Sequence, residues 1–334
     1  MKFLVIRFSS IGDIVLTTPV IRCLKKQLPD AEVHFLTKKS MKAVTEHNPY
    51  IDKFFYFDKN LKELKQELKK EKYDYIIDLH KNFRTFSIKL SLRRKSLTFK
   101  KESIRKFLLT KFHINTMMRK HITQRSLETI YPLGIKDDHK GLDYFIGEKD
   151  VLPIEAIPLT HRFGFVAIVI GGSYFTKKLP IEKLKELCTK IEHPIILIGG
   201  REDVWEAEQI QKVDNIKIYN ACGKFNLNQS ADLVRKSKLV ISHDTGLQYI
   251  ACAFNKPVLA IWGGTSPKLD VEPYYGNAYI ASHPKFTYKN FLVEGLSCQP
   301  CSNFGTKTCP KGHFKCMKLQ DVDTIHAFTE KVLW

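Results

Sequence analysis

Hydrophobic and polar positions alternate along the first part of the chain in two kinds of segment. Short apolar runs, which are typical of buried strands, occur at residues 2–8, 32–36 and 75–79. Segments with apolar residues at helical spacing lie between them, at 14–27 and 61–72. Buried strands that alternate with helices predict a parallel sheet whose strands are joined by crossover helices.

The same alternation begins again in the second half of the chain, after the Pro-bearing stretch 152–158, and we place the linker near residues 150–162. Strands are predicted at 165–170, 195–198, 239–242 and 258–262, and helices at 181–191, 202–213 and 247–254. We therefore predict two Rossmann-like, doubly wound α/β domains, residues 1–155 and 162–334, that face each other across a cleft.

Length and composition support packed globular domains. The chain has 334 residues, of which 43% are hydrophobic and 27% are charged, and these values are ordinary for soluble proteins. No apolar run approaches the ~18 residues of a membrane-spanning helix. The first residues enter a strand pattern without the features of a secretion signal. We expect a cytoplasmic protein.

Positive charge is concentrated in one part of the sequence. The formal net charge is +19, and residues 81–125 hold 14 Lys or Arg side chains and a single acid, Glu102. A basic block of this size indicates a polyanionic partner. Composition leaves three classes of partner open: nucleic acid, an anionic membrane surface, or a phosphorylated acceptor.

Turns that follow the predicted strands carry the candidate chemistry, because open parallel sheets bind ligands beyond the carboxyl ends of their strands. After the first strand, Asp13 either caps the next helix or serves as a general base that takes a proton from a hydroxyl. After the strand at 239–242, Asp244, Thr245 and Gly246 begin a helix whose amide groups suit a diphosphate.

Two further turns offer charged side chains. Lys177, after the strand at 165–170, could neutralise charge on a leaving phosphate, although a solvated surface lysine is the plain alternative. Glu202 and Asp203 could accept hydrogen bonds from ribose hydroxyls or simply stabilise a helix start. The sequence lacks GxxxxGK[ST], and no GxGxxG follows the first strand, which disfavours P-loop hydrolases and standard dinucleotide enzymes.

Together these segments resemble glycosyltransferase family 9, the bacterial heptosyltransferases that extend the inner core of lipopolysaccharide. The matching stretches are SSIGDIVLTTPVIRCLKK (9–26), GGSYFTKKLPIEKLKEL (171–187) and SHDTGLQYIACAFNKPVLAIWGGTSP (242–267). The resemblance implies a GT-B fold and an inverting transfer that requires no metal or other cofactor. It also implies a nucleotide-sugar donor, ADP-heptose above all, and a phosphorylated glycolipid acceptor.

Carried over onto this sequence, the resemblance implies three groups of site residues. Asp13 would be the catalytic base, and Lys177 would neutralise the leaving phosphate. The donor would bind against Ser173, Thr176, Glu202, Asp203, Asp244, Thr245, Gly246, Leu247 and Gln248. The acceptor would bind against Ser9, Ser10, Gly12, Asp78, Lys81, Arg84 and His121.

The basic block then acquires a partner that suits it, a phosphorylated lipid at an anionic inner-membrane surface, to which the protein would attach peripherally. No nucleic-acid partner is expected on this interpretation. Two alternatives stay open: a different nucleotide-sugar donor, and a non-enzymatic basic protein that binds nucleic acid. The second alternative leaves the turns described above unexplained.

Four of the eight cysteines are clustered near the carboxyl terminus. Cys298, Cys301, Cys309 and Cys316 have the spacing C-x2-C-x7-C-x6-C. Four thiols in so short a segment could hold a structural zinc ion, but only one pair has the close CxxC spacing of established zinc sites. A reduced surface loop and disulfides formed after purification are the competing interpretations.

Overall fold

In the computed structural model, which describes residues 1–283 and 287–334, the chain forms two parallel β-sheets with flanking helices. The first sheet contains β1 (Lys2–Ile6), β2 (Glu32–Lys38), β3 (Lys53–Phe57), β4 (Tyr75–Asp78) and β5 (Lys95–Thr98). Its strand order is β3-β2-β1-β4-β5, and all four pairings are parallel.

The second sheet follows the same plan with one more strand. It contains β6 (Val166–Val169), β7 (Ile195–Ile198), β8 (Ile218–Asn220), β9 (Leu239–His243), β10 (Val258–Ile261) and β11 (Tyr288–Phe291). The strand order is β11-β10-β9-β6-β7-β8, again with parallel pairings throughout. Both orders are those of a doubly wound sheet.

The direction of winding reverses once in each sheet. In the first sheet the reversal lies between β1 and β4, and in the second it lies between β6 and β9. Ligands of doubly wound sheets bind in the crevice outside the carboxyl ends of the strands at this point. The four turns that follow these strands are therefore the places where a ligand site is expected.

Helices connect the strands. They are α1 (Ile11–Val15), α2 (Thr18–Gln27), α3 (Lys42–Thr45), α4 (Leu61–Lys70), α5 (Phe83–Leu92), α6 (Ser103–Phe107), α7 (Ile122–Leu127), α8 (Ile181–Lys190), α9 (Val204–Gln211), α10 (Leu227–Lys236), α11 (Gly246–Ala253), α12 (Asn277–Ser282), α13 (Lys315–Lys318) and α14 (Val322–Leu333). Among the described residues, no helix combines the length and apolar character needed to cross a bilayer.

One predicted helix is divided in two. The segment 14–27 was expected to be continuous, but α1 ends at Val15 and α2 begins at Thr18. Pro19 lies in the first turn of α2, where its missing N–H costs nothing, whereas inside a continuous helix it would remove a hydrogen bond. The break therefore follows from a residue that is visible in the sequence.

Each sheet is covered by its own hydrophobic core. The four residues of β6 are all buried, as expected for a central strand with helices on both faces. Leu184 and Leu187 of α8 and Ile325 of α14 pack in the same cluster as strand residues of the second sheet. In the first sheet, Leu64 and Leu68 of α4 belong to the same cluster as Leu4 and Ile6 of β1.

The chain groups into two compact units. The first comprises Met1–Lys101 and Lys120–Phe145, and the second comprises Glu102–Arg119 and Ile146–Trp334. The predicted boundaries, 1–155 and 162–334, differ from this grouping at two places. Residues 102–119 and 146–155 were assigned to the first domain by chain order, but they belong to the second unit.

Long-range contacts explain both differences. Leu109 and Met117 pack against Leu269 and Val271, so the segment around α6 is attached to the second unit. Residues 150–152 are held by α10: the Asn226 amide donates to the Asp150 carboxylate at 2.8 Å, and the Leu152 N–H donates to Asp232 at 2.8 Å. Such pairings are not visible in local sequence patterns.

Candidate active site

The turn after β1 holds Asp13 in a network of hydrogen bonds. Arg7 Nη2 lies 2.7 Å from Asp13 Oδ1, and the N–H and hydroxyl of Ser10 donate to Oδ2 at 3.0 and 2.9 Å. Arg7 is itself fixed, since it donates to the carbonyl oxygens of Ser9 and Leu79 at 3.1 and 2.5 Å. The Asp13 side chain nevertheless stays 30% exposed.

These partners keep Asp13 ionised. Desolvation by burial acts to raise its pKa, but the Arg7 guanidinium and the Ser10 hydrogen bonds outweigh it, so that the pKa of Asp13 lies below its ordinary value. The Ser10 N–H bond also makes Asp13 part of a capping arrangement at the start of α1. The carboxylate thus takes part in capping α1 and is also a partly exposed proton acceptor.

Ser9, Ser10 and Gly12, predicted to contact the acceptor, lie in the same turn. Ser10 is exposed, Ser9 is half-buried and Gly12 is buried in α1. The carbonyl oxygen of Ser9 and both donor groups of Ser10 serve the Arg7 and Asp13 network. Their described contacts hold the carboxylate in place, and acceptor binding by these residues stays a prediction.

Asp78, the last residue of β4, has a structural role. Its side chain is fully buried; Lys89 Nζ lies 2.8 Å from Oδ2, and the N–H groups of His80 and Lys81 donate to Oδ1 at 3.1 and 2.8 Å. Asp78 therefore supports the turn rather than facing solvent. Lys81 and Arg84 are exposed, and Arg84 lies over the ring of Phe57 at 5.5 Å from its centroid.

His121 lies apart from both turns along the chain. It is buried, it precedes α7, and its Nδ1 accepts the Thr123 N–H at 3.2 Å. This geometry is an N-terminal helix cap. The described contacts give His121 a structural role, and its predicted contact with the acceptor stays untested.

The start of α11 in the second unit is suited to an anion. Thr245 is the N-cap residue, but its side chain makes no capping hydrogen bond, so the first amide groups of the helix are available to a ligand. Gln248, one turn into the helix, is fully buried, and neither its amide oxygen nor its nitrogen has a hydrogen-bond partner among the described residues. Buried groups of this kind normally find a partner.

Lys177 from the turn after β6 reaches the same helix start. Its Nζ lies 2.7 Å from Asp244 Oδ2 and donates to the Asp244 carbonyl oxygen at 2.9 Å. The Thr265 hydroxyl also donates to Asp244 Oδ2, at 2.9 Å. The structure thus brings the predicted phosphate-neutralising lysine and the predicted diphosphate turn together at the reversal point of the second sheet.

The neighbouring Lys178 has different partners. It donates to Asp203 Oδ1 at 2.7 Å and to Glu206 Oε1 at 3.1 Å. Burial acts to lower the pKa of Lys178, but the bonds to these two acids raise it overall. The other Asp203 oxygen accepts the Gly200 N–H at 2.9 Å.

The two predicted ribose-binding acids therefore differ in environment. Asp203 is only 1% exposed, and both of its oxygens are bonded within the protein, whereas Glu202 is exposed. A Cβ atom at Gly171 would lie 2.5 Å from Asp203 Oδ2, so the close approach of this carboxylate requires glycine. Glu202 is thus the more accessible of the two acids, and ligand binding by either acid stays a prediction.

Thr176 and Ser173 complete the turn after β6. Ser173 is exposed, but Thr176 is buried: its hydroxyl accepts the Thr306 N–H at 2.7 Å, and its own N–H donates to the Thr306 carbonyl oxygen at 3.2 Å. The Gly264 N–H donates to the Thr176 carbonyl oxygen at 2.7 Å. These contacts make Thr176 an anchor of the turn, and its predicted contact with the donor stays untested.

The cysteine-rich end supports the loop after β10. Gln299 donates through Nε2 to the carbonyl oxygens of Trp262, Gly263 and Thr265 at 3.1, 2.8 and 3.3 Å. The Cys301 N–H donates to the Gly264 carbonyl oxygen at 3.0 Å. Because Thr265 in turn contacts Asp244, this loop and the Lys177 site belong to one hydrogen-bonded network.

The four clustered cysteines are close enough for their thiols to interact electrostatically. Cys298 Sγ lies 3.7 Å from His313 Nε2, and Cys309 Sγ accepts the Phe314 N–H at 3.4 Å. Within the described ranges, however, no three potential ligand atoms of this cluster lie within 4.8 Å of one another. A structural zinc ion at these thiols therefore stays a prediction beside its two alternatives.

A cavity of about 510 Å³ opens beside the turn after β6. This volume is within the range of sites for small ligands and cofactors. Its wall is mainly apolar and includes Ile170, Leu179, Leu184 and Phe314. Charged side chains line it at four positions, Lys178, Glu182, Glu206 and Lys318. The cavity could therefore receive a flat apolar ring beside the Lys177 site.

Three residues of these networks were not singled out in the sequence. His243 is buried, its Nε2 accepts the Leu179 N–H at 2.9 Å, and burial lowers its pKa to about 4, so the imidazole is neutral. Lys101 donates to the Lys81 carbonyl oxygen at 2.8 Å, and desolvation and the Arg7 charge lower its pKa. Arg7 lies just before the matched stretch 9–26 and His243 lies within the stretch 242–267, but sequence spacing does not reveal these pairings.

Known proteins are similar to this chain in sequence and in fold. A family model described as glycosyltransferase family 9 (heptosyltransferase) matches residues 61–294. Lipopolysaccharide heptosyltransferase 1 of Campylobacter coli is 26% identical over 309 residues, which cover 84% of this chain and 86% of the relative. The sequence similarity thus extends over most of both proteins.

Solved structures show the same fold. A glycosyltransferase of family 9 from Veillonella parvula superposes with a TM-score of 0.74 at 20% identity and covers 99% of this chain and 97% of its own. A heptosyltransferase of Escherichia coli solved with ADP-2-deoxy-2-fluoro heptose superposes with a TM-score of 0.69 at 16% identity, over 99% of each chain. The predicted class, two Rossmann-like α/β domains of GT-B type, is confirmed.

Proposed function

Because the chain belongs to glycosyltransferase family 9, the heptosyltransferases, and is therefore a glycosyltransferase of lipopolysaccharide-core biosynthesis, we propose that it transfers heptose from ADP-heptose to a phosphorylated inner-core acceptor. The proposed reaction inverts the anomeric configuration and needs no metal. The observation that carries the proposal is the ion pair of Lys177 with Asp244 at the open start of α11.

The second unit supports binding of a nucleotide diphosphate sugar. The uncapped amide groups of α11 and the Lys177 ammonium supply positive charge for a diphosphate. The 510 Å³ cavity beside them offers apolar surface for a base, and the exposed Glu202 is available to a ribose. ADP-heptose is the preferred donor, since a similar protein binds a fluorinated analogue of it.

Exposed side chains of the first unit support the proposal that the acceptor is a phosphorylated lipid. Lys81 and Arg84 are exposed next to the turn that follows β4. Phe83, Phe86 and Leu90 of α5 are exposed as well, and their spacing puts them on one helix face. Cationic and apolar side chains together suit a glycolipid at the cytoplasmic face of an anionic membrane.

The proposed reaction is a direct displacement. The acceptor hydroxyl oxygen bonds to the anomeric carbon as the bond from that carbon to the β-phosphate oxygen breaks, and the electron pair stays on ADP. The hydroxyl proton passes to Asp13, which its partners hold ionised. A carboxylate with a low pKa is a weak base, so proton transfer follows formation of the new bond. Lys177 and α11 stabilise the departing diphosphate.

The experiment that tests the function is a panel of ADP-, UDP-, GDP- and CMP-sugars measured for thermal stabilisation of the protein and for transfer to an inner-core acceptor. ADP-heptose is expected to stabilise most and to support transfer, and chelation with EDTA is expected to leave the rate unchanged. Stabilisation by a different nucleotide sugar would name another donor. Loss of transfer in EDTA would show that the reaction needs a metal.

A further inference from the structure

The segment 103–119 exposes many large apolar side chains. It comprises α6 and a short π-helix, Leu108–Phe112, and five of its side chains are between 51% and 77% exposed: Ile104, Phe107, Phe112, Ile114 and Met118. Scattered exposed apolar residues are normal, but a concentration of them marks an interaction surface. We call residues 103–119 the apolar-basic segment.

Positive charge accompanies these apolar residues. The apolar-basic segment contains Arg105, Lys106, Lys111 and Arg119 and no acid. Lys111 and Arg119 are exposed. Cations interspersed with aromatic and aliphatic side chains are characteristic of peptides that lie in the interface of an anionic bilayer.

The segment is also attached to the body of the second unit. Leu109 and Met117, its buried apolar residues, pack against Leu269 and Val271. The Val271 carbonyl oxygen accepts the Tyr249 hydroxyl of α11 at 2.6 Å. A ligand that holds the apolar-basic segment would therefore hold the unit that carries α11 and Lys177.

We propose that the apolar-basic segment docks this protein on anionic membranes by inserting Phe107 and Phe112 among the lipids while Lys111 and Arg119 contact lipid phosphates. A second copy of the chain is a poorer occupant, because two such basic segments repel each other. Nucleic acid would neutralise the cations but leave Ile104, Ile114 and Met118 in water. This proposal rests on the proposed function in one respect only, namely that the acceptor is linked to a lipid.

Vesicle binding tests this proposal without donor or acceptor, so its failure is distinct from failure of the proposed transfer. The full chain is sedimented with vesicles of phosphatidylglycerol and phosphatidylethanolamine, and with phosphatidylcholine vesicles as the neutral comparison. The double variant Phe107→Ser, Phe112→Ser is expected to lower partitioning onto anionic vesicles by about tenfold or more. The matched control Leu159→Ser, Phe163→Ser alters two apolar side chains exposed elsewhere and is expected to bind as the native chain does.

Charge and insertion are separated by two further measurements. Lys111→Glu with Arg119→Glu is expected to abolish the preference for anionic vesicles, whereas Lys59→Glu with Lys62→Glu, both exposed elsewhere, keeps it. The fluorescence of Phe112→Trp is expected to be quenched by brominated lipid beyond that of the native tryptophans. Native-like binding by the Phe107 and Phe112 double variant, or no added quenching, would overturn the proposal in favour of surface charge alone. Equal binding to neutral vesicles would also overturn it.

Discussion

Lys177 and Lys178 are adjacent in the sequence, but their contacts predict opposite consequences of substitution. Lys177 pairs with Asp244 at the start of α11, whereas Lys178 pairs with the buried Asp203 and with Glu206. Methionine preserves much of either side chain's length and removes its charge together with its N–H donors. Lys177→Met should therefore impair transfer, and Lys178→Met should impair stability.

The magnitudes follow from what each substitution leaves behind. Asp203 is only 1% exposed, and removal of Lys178 would leave its carboxylate the Gly200 N–H as a bonded partner. An uncompensated buried charge costs about 3 kcal/mol, which lowers the Tm of a unit of this size by about 6–12 °C. Without Lys177, Asp244 keeps the Thr265 hydroxyl, and its side chain is 11% exposed. Water can therefore solvate this carboxylate in part, and the expected loss is only about 1 kcal/mol.

Transfer should respond in the reverse order. Removal of one group that stabilises charge on the leaving phosphate lowers kcat by about 10²–10³, which is the expectation for Lys177→Met. Lys178→Met should retain most of its kcat per folded molecule below its Tm. The assay is a thermal melt of each variant beside initial rates of ADP release with saturating acceptor.

The result that refutes this reasoning is specific. If Lys177→Met lowers the Tm more than Lys178→Met does, the assignment of the two lysines is reversed. If Lys177→Met keeps near-native kcat, its ion pair with Asp244 is structural, and the proposed role in neutralising the leaving group is wrong. Lys178→Arg is the matched control for Lys178→Met, because it keeps a positive charge beside Asp203 and Glu206.

Four further predictions concern other parts of the molecule. Asp13→Asn should lower kcat by about 10²–10⁴ while the donor still raises the Tm; near-native transfer would show that Asp13 only caps α1. His243 has a folded pKa of about 4, below its unfolded value of about 6.5, so the unfolded state binds the proton first. Stability should therefore fall by up to about 3 kcal/mol as the pH drops through this window; urea midpoints measured from pH 7 to pH 4 check this, and His243→Gln should show a shallower fall. Arg22 is buried and bonded to Asp138 and to Asp143, so Arg22→Met should cost about 3–5 kcal/mol in urea unfolding, and a loss below about 1 kcal/mol would mean that the two acids are solvated. Gln299→Leu removes the donor to the loop of Thr265 and should weaken donor stabilisation of the Tm more than it lowers the Tm without donor; equal effects would make Gln299 purely structural.

Local sequence patterns were sufficient for the buried strands. The segments 2–8, 165–170 and 258–262 were predicted as strands, and the structure has β1, β6 and β10 there. Continuous apolar runs indicate strands that are buried on both faces, because every residue of such a strand must then be apolar. The predictions of fold class and of the functional turns rest on this local signal.

Local sequence patterns did not predict two polar edge strands. The strands β5, with sequence KSLT, and β11, with sequence YKNF, were not predicted. Each lies at the edge of its sheet, where one side is open and burial imposes no apolar pattern. The hydrogen bonds to β4 and to β10, rather than the side chains, make these segments strands.

The sequence by itself determined which turns carry the charged residues. Asp13, Lys177 and Asp244 each follow a strand that can be predicted from its own apolar residues. Only the tertiary structure decided which partner each side chain has. Lys178 meets Asp203, and Thr176 meets Thr306, 130 residues away. Such pairs form when the folded chain closes long loops, and no local periodicity encodes that closure. For the same reason, only the tertiary structure assigned residues 102–119 to the second unit.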